Sequence, residues 1–135
     1  ERAGSSNVLH LHGELLKVRS TRNHNYILEW KTDLLDSDKD DDGFNLRPHI
    51  VWFGEEVPAL EEAVQLTTEA NLFLVIGTSL QVYPAAGLVD FVPKESTIYY
   101  IDPKPIKIPN LRNELVVFAE NASKGMELLK EKLTN

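Results

Sequence analysis

The stretch that decides the fold is LFLVI at residues 72–76, which Gly77 ends. An unbroken apolar run that a glycine ends is typical of a strand buried on both faces of a parallel sheet. Two further runs of the same kind, TIYYI at 97–101 and LVVF at 115–118, follow along the chain. The sequence therefore predicts three strands with these bounds.

Helical patterns alternate with these strands. Apolar residues at helical spacing run over 60–70 and 85–92, each stretch after a proline, and a last helix follows Ser123, its predicted N-cap. Alternation of helices and strands favours parallel strands joined by right-handed crossovers. We expect an α/β fold with one half of a Rossmann-like parallel sheet, made of about three strands and flanking helices.

The first part of the chain is more polar and less regular. Strands are predicted over 8–11 and 25–30, and the acidic run at 36–43 is predicted to form a turn. Alternation along a strand at 8–11 that continues to His12 would place His10 and His12 on one face.

Composition excludes several classes of function. The 135 residues include 14 Lys and Arg against 21 Asp and Glu, for a formal net charge of -7, which argues against nucleic acid as a partner. Cysteine is absent, so disulfides, a thiol nucleophile and thiolate zinc sites are excluded. No apolar stretch approaches the about 18 residues of a membrane span, and residues 1–20 lack a secretory pattern. We therefore expect a cytoplasmic protein that does not bind membranes.

Two features at strand ends point to nucleotide binding. Gly77, Thr78 and Ser79 follow a predicted strand, where a glycine lets the backbone approach a phosphate and hydroxyls donate to it. The alternative is a tight turn from strand to helix. Asp102 stands 25 positions after Gly77, close to the spacing of about 20 at which dinucleotide folds place a ribose-binding carboxylate. A turn aspartate before Pro103 is the alternative for this residue.

His12 is a candidate general base, because imidazole exchanges protons near neutral pH and Gly13 clears space beside it. A structural histidine is the alternative. A zinc pair of His10 and His12 would need further ligands, for which only His24 and His49 remain as nitrogen donors.

Two segments of the first part have both a structural and a functional interpretation. Residues 38–43 match the first six positions of a calcium-binding loop, but His49 stands at position 12 in place of a bidentate glutamate. This mismatch favours a solvated acidic turn. The apolar residues 50–53, within RPHIVWFGE at 47–55, predict either an edge that pairs an extended peptide or a core strand.

Three motifs occur in order along the chain: LHG at 11–13, RPHIVWFGE at 47–55 and GTSLQVYPAA at 77–86. Together they make the chain resemble the sirtuin family of NAD-dependent protein deacylases. The resemblance implies NAD as the cofactor and an acylated lysine peptide or protein as the substrate. Transfer of ADP-ribose to a protein acceptor, or nucleotide binding without catalysis, stays open as the alternative.

The resemblance also implies roles for single residues. His12 corresponds to the general base that acts on the ribose hydroxyls of NAD. Val51, Gly54 and Glu55 correspond to the segment that pairs the substrate peptide as a strand. Phe53 corresponds to an aromatic side chain that lines the acyl-lysine tunnel.

On the cofactor side, Gly77, Thr78 and Ser79 correspond to the loop at the adenosine and phosphates of NAD. Asp102 falls near the adenine-ribose position, where the family usually has asparagine. Ala122 falls near the loop that contacts the adenine.

The chain departs from the family in two respects. The family's zinc-binding cysteines are absent, so we expect a small zinc-free insert module at 14–46 and the C-terminal half of a Rossmann-like NAD-binding domain over 1–13 and 47–135. The family's N-terminal motifs GAG, PDFR and QNxD are also absent. We therefore expect the missing N-terminal half of the same protein as a partner, and no NAD turnover by this fragment alone.

Overall fold

The computed structural model describes residues 1–134. The chain divides into two compact units, one over Glu1–Ala59 and one that begins at Leu60. The expected bounds of the insert module, 14 and 46, both fall within the first unit and stay a prediction.

The first unit is built on a three-stranded antiparallel sheet. Its strands are β1 (Gly13–Ser20), β2 (Ile27–Glu29) and β3 (Leu46–Ile50), in the order β2-β1-β3. Val18 on the central strand is buried, and its register partners Leu28 on β2 and Pro48 on β3 stand beside it on the same face.

The strand predicted over 8–11 is wrong. Pairing of β1 with β3 begins only at Gly13, which lies opposite Ile50, so residues 8–11 remain outside the sheet. His10 and His12 therefore precede the strand and do not share a strand face. The strand predicted over 25–30 is confirmed in shorter form by β2, because its antiparallel pairing with β1 spans only Ile27–Glu29.

The acidic turn predicted over 36–43 is confirmed. The carboxylate of the buried Asp40 accepts hydrogen bonds from the backbone N–H groups of Asp42, at 3.0 Å, and Phe44, at 2.8 Å. A hydrogen bond with the fully buried Ser20 helps to lower the pKa of the same carboxyl. Buried polar groups therefore stabilise the first unit in addition to buried apolar residues such as Val18.

The second unit alternates helices and strands as predicted. Its elements are α1 (Leu60–Thr68), β4 (Leu72–Ile76), a 3₁₀ helix (Ala85–Phe91), β5 (Thr97–Ile101), β6 (Leu115–Phe118) and α2 (Ala122–Thr134). The three strands are parallel, in the order β4-β5-β6, with the predicted bounds. The α/β class with a partial Rossmann-like parallel sheet is thereby confirmed.

The core of the second unit lies on both faces of β5. Ile98 and Tyr100 pack on one face with valines of β4 and of the 3₁₀ helix. Tyr99 and Ile101 pack on the other face with Leu129 of α2. Side chains alternate across a strand, so a central strand between two helical layers is buried on both faces, here from Ile98 to Ile101.

Strand β4 is less buried than its sequence predicts. Val75 is buried, whereas 39% of Leu72 and 40% of Ile76 is exposed. The prediction of burial on both faces is wrong for this strand, because Leu72, Leu74 and Ile76 share one face and the first two line an open cavity against α2.

The helices match their predicted positions with two differences. The stretch predicted over 85–92 forms a 3₁₀ helix. Helix α2 begins at Ala122 and is capped by Asn121, whose Oδ1 accepts the N–H of Lys124 at 3.0 Å, so the prediction of Ser123 as N-cap is wrong. A cap must stand just before the first helical residue, and Ser123 lies within the first turn. No helix within residues 1–134 is both long and apolar enough to cross a bilayer.

Candidate functional site

In the second unit, the predicted nucleotide-binding residues follow the carboxyl ends of the parallel strands. Gly77 follows β4, Asp102 follows β5, and Ala122 begins α2 shortly after β6. The N–H of Gly77 donates to the carbonyl of Ile101 at 2.9 Å, and the N–H of Asp102 donates to that of Phe118 at 3.2 Å. The sheet therefore brings the three loops to one edge, where open α/β sheets bind ligands.

The loop after β4 has a backbone that a ligand can approach. Gly77 has φ of 62°, and a Cβ built there would meet no atom within 4 Å. Thr78 and Ser79 are exposed. The hydroxyl of Thr78 accepts the N–H of Leu80 at 3.2 Å, which leaves its own proton to donate. An uncovered glycine followed by two hydroxyls fits the diphosphate of a dinucleotide.

A hydrogen bond from the buried side chain of Tyr100 holds this loop in place. The side chain of Tyr100 is fully buried, and its hydroxyl donates to the carbonyl of Thr78 at 2.9 Å. The same oxygen accepts the N–H of Ile106 at 3.5 Å. Tyr100 thus ties the loop after β4 to the loop after β5.

Asp102 and Ala122 contribute less defined contacts. One carboxylate oxygen of Asp102 accepts the N–H of Lys104 at 2.7 Å, as in a turn aspartate, and the second oxygen could still accept a ribose hydroxyl. Ala122 is exposed at the start of α2. Both residues lie at the edge predicted for them, and their roles toward a ligand stay a prediction.

In the first unit, the exposed His12 is followed by a glycine that packing requires. Gly13 has φ of 86°, and a Cβ on it would overlap the carbonyl oxygen of His49. The N–H of Val51 donates to the carbonyl oxygen of His12 at 3.0 Å. The candidate base and the start of the candidate peptide-pairing segment are therefore joined through their backbones.

Residues 51–55, which we call the FGE loop, leave the sheet after β3 and present apolar side chains to solvent. Trp52 is 56% exposed and Phe53 is 91% exposed. The interpretation of 50–53 as a core strand is therefore wrong, because β3 ends at Ile50 and the chain turns away from the sheet. An exposed aromatic pair on a turn is a common feature of binding surfaces.

A carboxylate closes this loop. Glu55 accepts two hydrogen bonds from Arg47, at 2.6 and 3.2 Å, and one from the N–H of Trp52, at 3.0 Å. Arg47 is the main cause that lowers the pKa of the Glu55 carboxyl. Glu55 is therefore ionised at neutral pH.

The four histidines do not form a metal site in the described chain. The ring nitrogens of His10 lie 3.3 Å from a carboxylate oxygen of Glu1 and 3.4 Å from one of Glu14. No group of three or more His, Asp or Glu side chains within residues 1–134 is arranged to hold a metal ion. In the acidic turn, carboxylates of Asp38 and Asp40 accept backbone N–H groups instead.

Three residues of these sites were not singled out from the sequence: Arg19, Arg47 and Tyr100. The guanidinium of Arg19 lies 3.7 Å from Glu55, so both arginines face the same carboxylate. An arginine eight positions before a glutamate carries no recognisable signal, since the turn of the chain after β3 decides whether the two meet. Tyr100 lies in the apolar run at 97–101, which predicts a strand and gives no sign of a hydrogen bond to another loop.

Relatives of the chain share one family. A model of the Sir2 family matches residues 1–84. An NAD-dependent protein deacylase of Helicobacter pylori, strain J99, is 53% identical over 133 residues, which cover 98% of this chain and 56% of that protein. An NAD-dependent protein deacylase of Bacteroides thetaiotaomicron is 50% identical over 139 residues, covering 98% and 59% respectively. The chain thus spans 56% to 59% of the length of these relatives.

Solved structures give the same result. The crystal structure of a Sir2 homologue in complex with NAD resembles the chain with a TM-score of 0.79 and 33% identity, over 98% of this chain and 54% of that chain. A structure of Sir2 bound to an acetylated peptide resembles it with a TM-score of 0.77 and 26% identity, over 99% of this chain and 59% of that chain.

Proposed function

Because this chain belongs to the Sir2 family, we propose that it carries the general base and the peptide-binding elements of an NAD-dependent protein lysine deacylase. The substrate is an acylated lysine in a peptide or protein, and the cofactor is NAD. The observation that carries the proposal is the hydrogen bond between the N–H of Val51 and the carbonyl of His12, at 3.0 Å. This bond fixes the backbone of the proposed base directly beside the backbone of the proposed peptide-pairing segment.

The FGE loop supplies the substrate side. The N–H groups of Val51, Trp52 and Glu55 are already engaged within the protein. Pairing with a peptide therefore falls to the carbonyl groups of the loop and to the N–H groups of Phe53 and Gly54. The exposed ring of Phe53 offers an apolar wall, which suits the neutral acyl chain better than a charged free lysine.

The cofactor side lies at the carboxyl edge of the parallel sheet. Gly77, Thr78 and Ser79 are the residues proposed to hold the diphosphate, and Asp102 and Ala122 the adenosine end. When bound, NAD supplies a leaving nicotinamide and a ribose that takes up the acyl group. His12 takes up the proton of a ribose hydroxyl at an imidazole nitrogen, which its exposure to solvent allows.

The test is nicotinamide release by the complete protein in the presence of an acetyl-lysine peptide. We expect His12→Asn to lower the rate by at least about 100-fold and to leave peptide binding within about twofold. His24→Asn, at an exposed histidine in the first unit, is the matched control and should leave the rate unchanged.

Two results would contradict the proposal. One is an unchanged rate in His12→Asn. The other is stable labelling of a protein acceptor by tagged NAD without loss of the acetyl group, which would favour ADP-ribose transfer. The expectation that residues 1–135 alone release no nicotinamide stays a prediction, and the same assay on this chain tests it.

A further inference from the structure

We propose that Arg47 and Glu55 are positioning residues that hold the FGE loop in its peptide-binding conformation. The inference rests on the proposed function of this loop as the acyl-lysine-binding segment. Neither side chain needs to touch the substrate, because both act through the backbone of the loop between them.

The contacts form a closed ring of hydrogen bonds. Arg47 lies on β3, and its two terminal nitrogens bind the two carboxylate oxygens of Glu55 at 2.6 and 3.2 Å. The second oxygen of Glu55 also accepts the N–H of Trp52 at 3.0 Å, while the N–H of Glu55 donates to the carbonyl of Trp52 at 3.1 Å. Both ends of the loop are thereby fixed to the strand that precedes it.

The charges on the sheet favour a carboxylate at this place. Arg19 on β1 and Arg47 on β3 are directly opposite residues in the antiparallel register. Like charges in that arrangement repel. Glu55 lies within 3.7 Å of Arg19 and 2.6 Å of Arg47, so its single negative charge offsets part of the repulsion between the two arginines. The side chain of Arg19 is 11% exposed, so salt screens this guanidinium less than it screens Glu55, whose side chain is 33% exposed.

The loop between the anchors has little other support. Phe53 is 91% exposed, and a Cβ on Gly54 would meet no atom within 4 Å. Gly54 also has φ of 86°, and a glycine that nothing restrains exchanges this backbone conformation readily for others. Without the ion pair, the loop would sample many conformations, and a peptide would have to order it on binding.

The first experiment separates binding from chemistry in the complete protein. Arg47→Gln and Glu55→Gln should each raise KM for an acetylated peptide about tenfold, with kcat within about threefold and KM for NAD unchanged. Arg47→Lys keeps the charge but loses the two-point contact, so it should fall between Arg47→Gln and the wild type. Arg22→Gln, at an exposed arginine that lies over the ring of Phe44, is the matched control and should behave as wild type.

A second measurement does not depend on activity. This 135-residue chain has two tryptophans, so Trp30→Phe leaves Trp52, within the loop, as its single tryptophan, which is excited selectively over the four tyrosines. In that background, Arg47→Gln should lower the fluorescence anisotropy of Trp52 and increase its quenching by acrylamide, while Arg22→Gln should change neither.

The outcomes distinguish the two proposals. Wild-type protein without turnover of acetylated peptide would overturn the proposed function and the inference that rests on it. Wild-type turnover with an unchanged peptide KM in Arg47→Gln would overturn the positioning role alone. The same holds if Trp52 has the same anisotropy in both proteins, or if kcat falls and KM does not move.

Discussion

The carbonyl oxygen of His12 accepts a hydrogen bond from the N–H of Val51 at 3.0 Å. This bond extends the pairing of β1 and β3 by one step beyond the pair of Gly13 and Ile50. It places the segment LHG beside the segment RPHIVWFGE, although more than thirty residues separate them in the sequence.

Gly13→Ala should destabilise the protein more than Gly43→Ala. Both glycines have φ near 85°, a left-handed conformation that alanine adopts only at a cost in free energy, so this loss is common to both substitutions. A Cβ at Gly13 would also overlap the carbonyl of His49, whereas at Gly43 it meets no atom within 4 Å. We expect Gly13→Ala to lower the free energy of unfolding by about 1–3 kcal/mol more than Gly43→Ala. Urea denaturation measures the difference, and equal losses would contradict the close approach.

Tyr100→Phe should loosen the loop after β4. The substitution removes the bonds to Thr78 and Ile106 and leaves a partly buried carbonyl without its donor. We expect a loss of about 1–3 kcal/mol in the free energy of unfolding and a weaker binding of NAD. Tyr99→Phe removes a hydroxyl from the opposite face of the same strand and serves as the control. An identical effect of both substitutions on NAD binding would count against a role for Tyr100 in the loop.

Gly125→Ala should destabilise α2 against β5. A Cβ at Gly125 would overlap Cγ2 of Ile101, which is fully buried and branched at Cβ, so it cannot move aside. The overlap costs about 1–3 kcal/mol and outweighs the gain of about 1 kcal/mol in helix propensity. Thermal denaturation of Gly125→Ala and of the double variant with Ile101→Ala tests this, because the second change removes Cγ2. Additive losses would show that the two residues do not interact.

The stability of the first unit should fall as the pH decreases below about 6.5, because of His49. Burial, and then the charge of Arg19, lowers the pKa of His49 from 6.5. As the pH falls through 6.5, the unfolded chain binds the proton before the folded chain does, so the contribution of His49 to stability is complete above this pH and is lost below it. Urea denaturation between pH 7.5 and 5.5 should therefore show a smaller slope with pH in His49→Gln than in the wild type. His24→Gln, at an exposed histidine, should keep the wild-type slope.

Much of the second unit was predictable because its signals are local. The runs at 72–76, 97–101 and 115–118 became strands with the predicted bounds. Gly77 and Asp102 follow the first two of these strands, so their placement at one edge of the sheet required only that the strands be parallel. The cap of α2 was misassigned to Ser123 because Asn121 and Ser123 are both good capping residues.

The amino-acid sequence by itself determined the order and type of the elements in the second unit and the motifs that indicate the family. These features depend on neighbouring residues, because periodicity and strand-ending glycines act within a few positions. Only the tertiary structure decided that β1 begins at Gly13 and that β4 is an exposed edge, since pairing joins segments that are distant in sequence. The same holds for the contact of Arg47 with Glu55 and for the phenol of Tyr100 beneath Thr78. The start of β1, the edge position of β4 and the contact of Tyr100 depend on which strands are neighbours and in what register. The contact of Arg47 with Glu55 depends on how the chain turns back after β3. No local pattern encodes either choice.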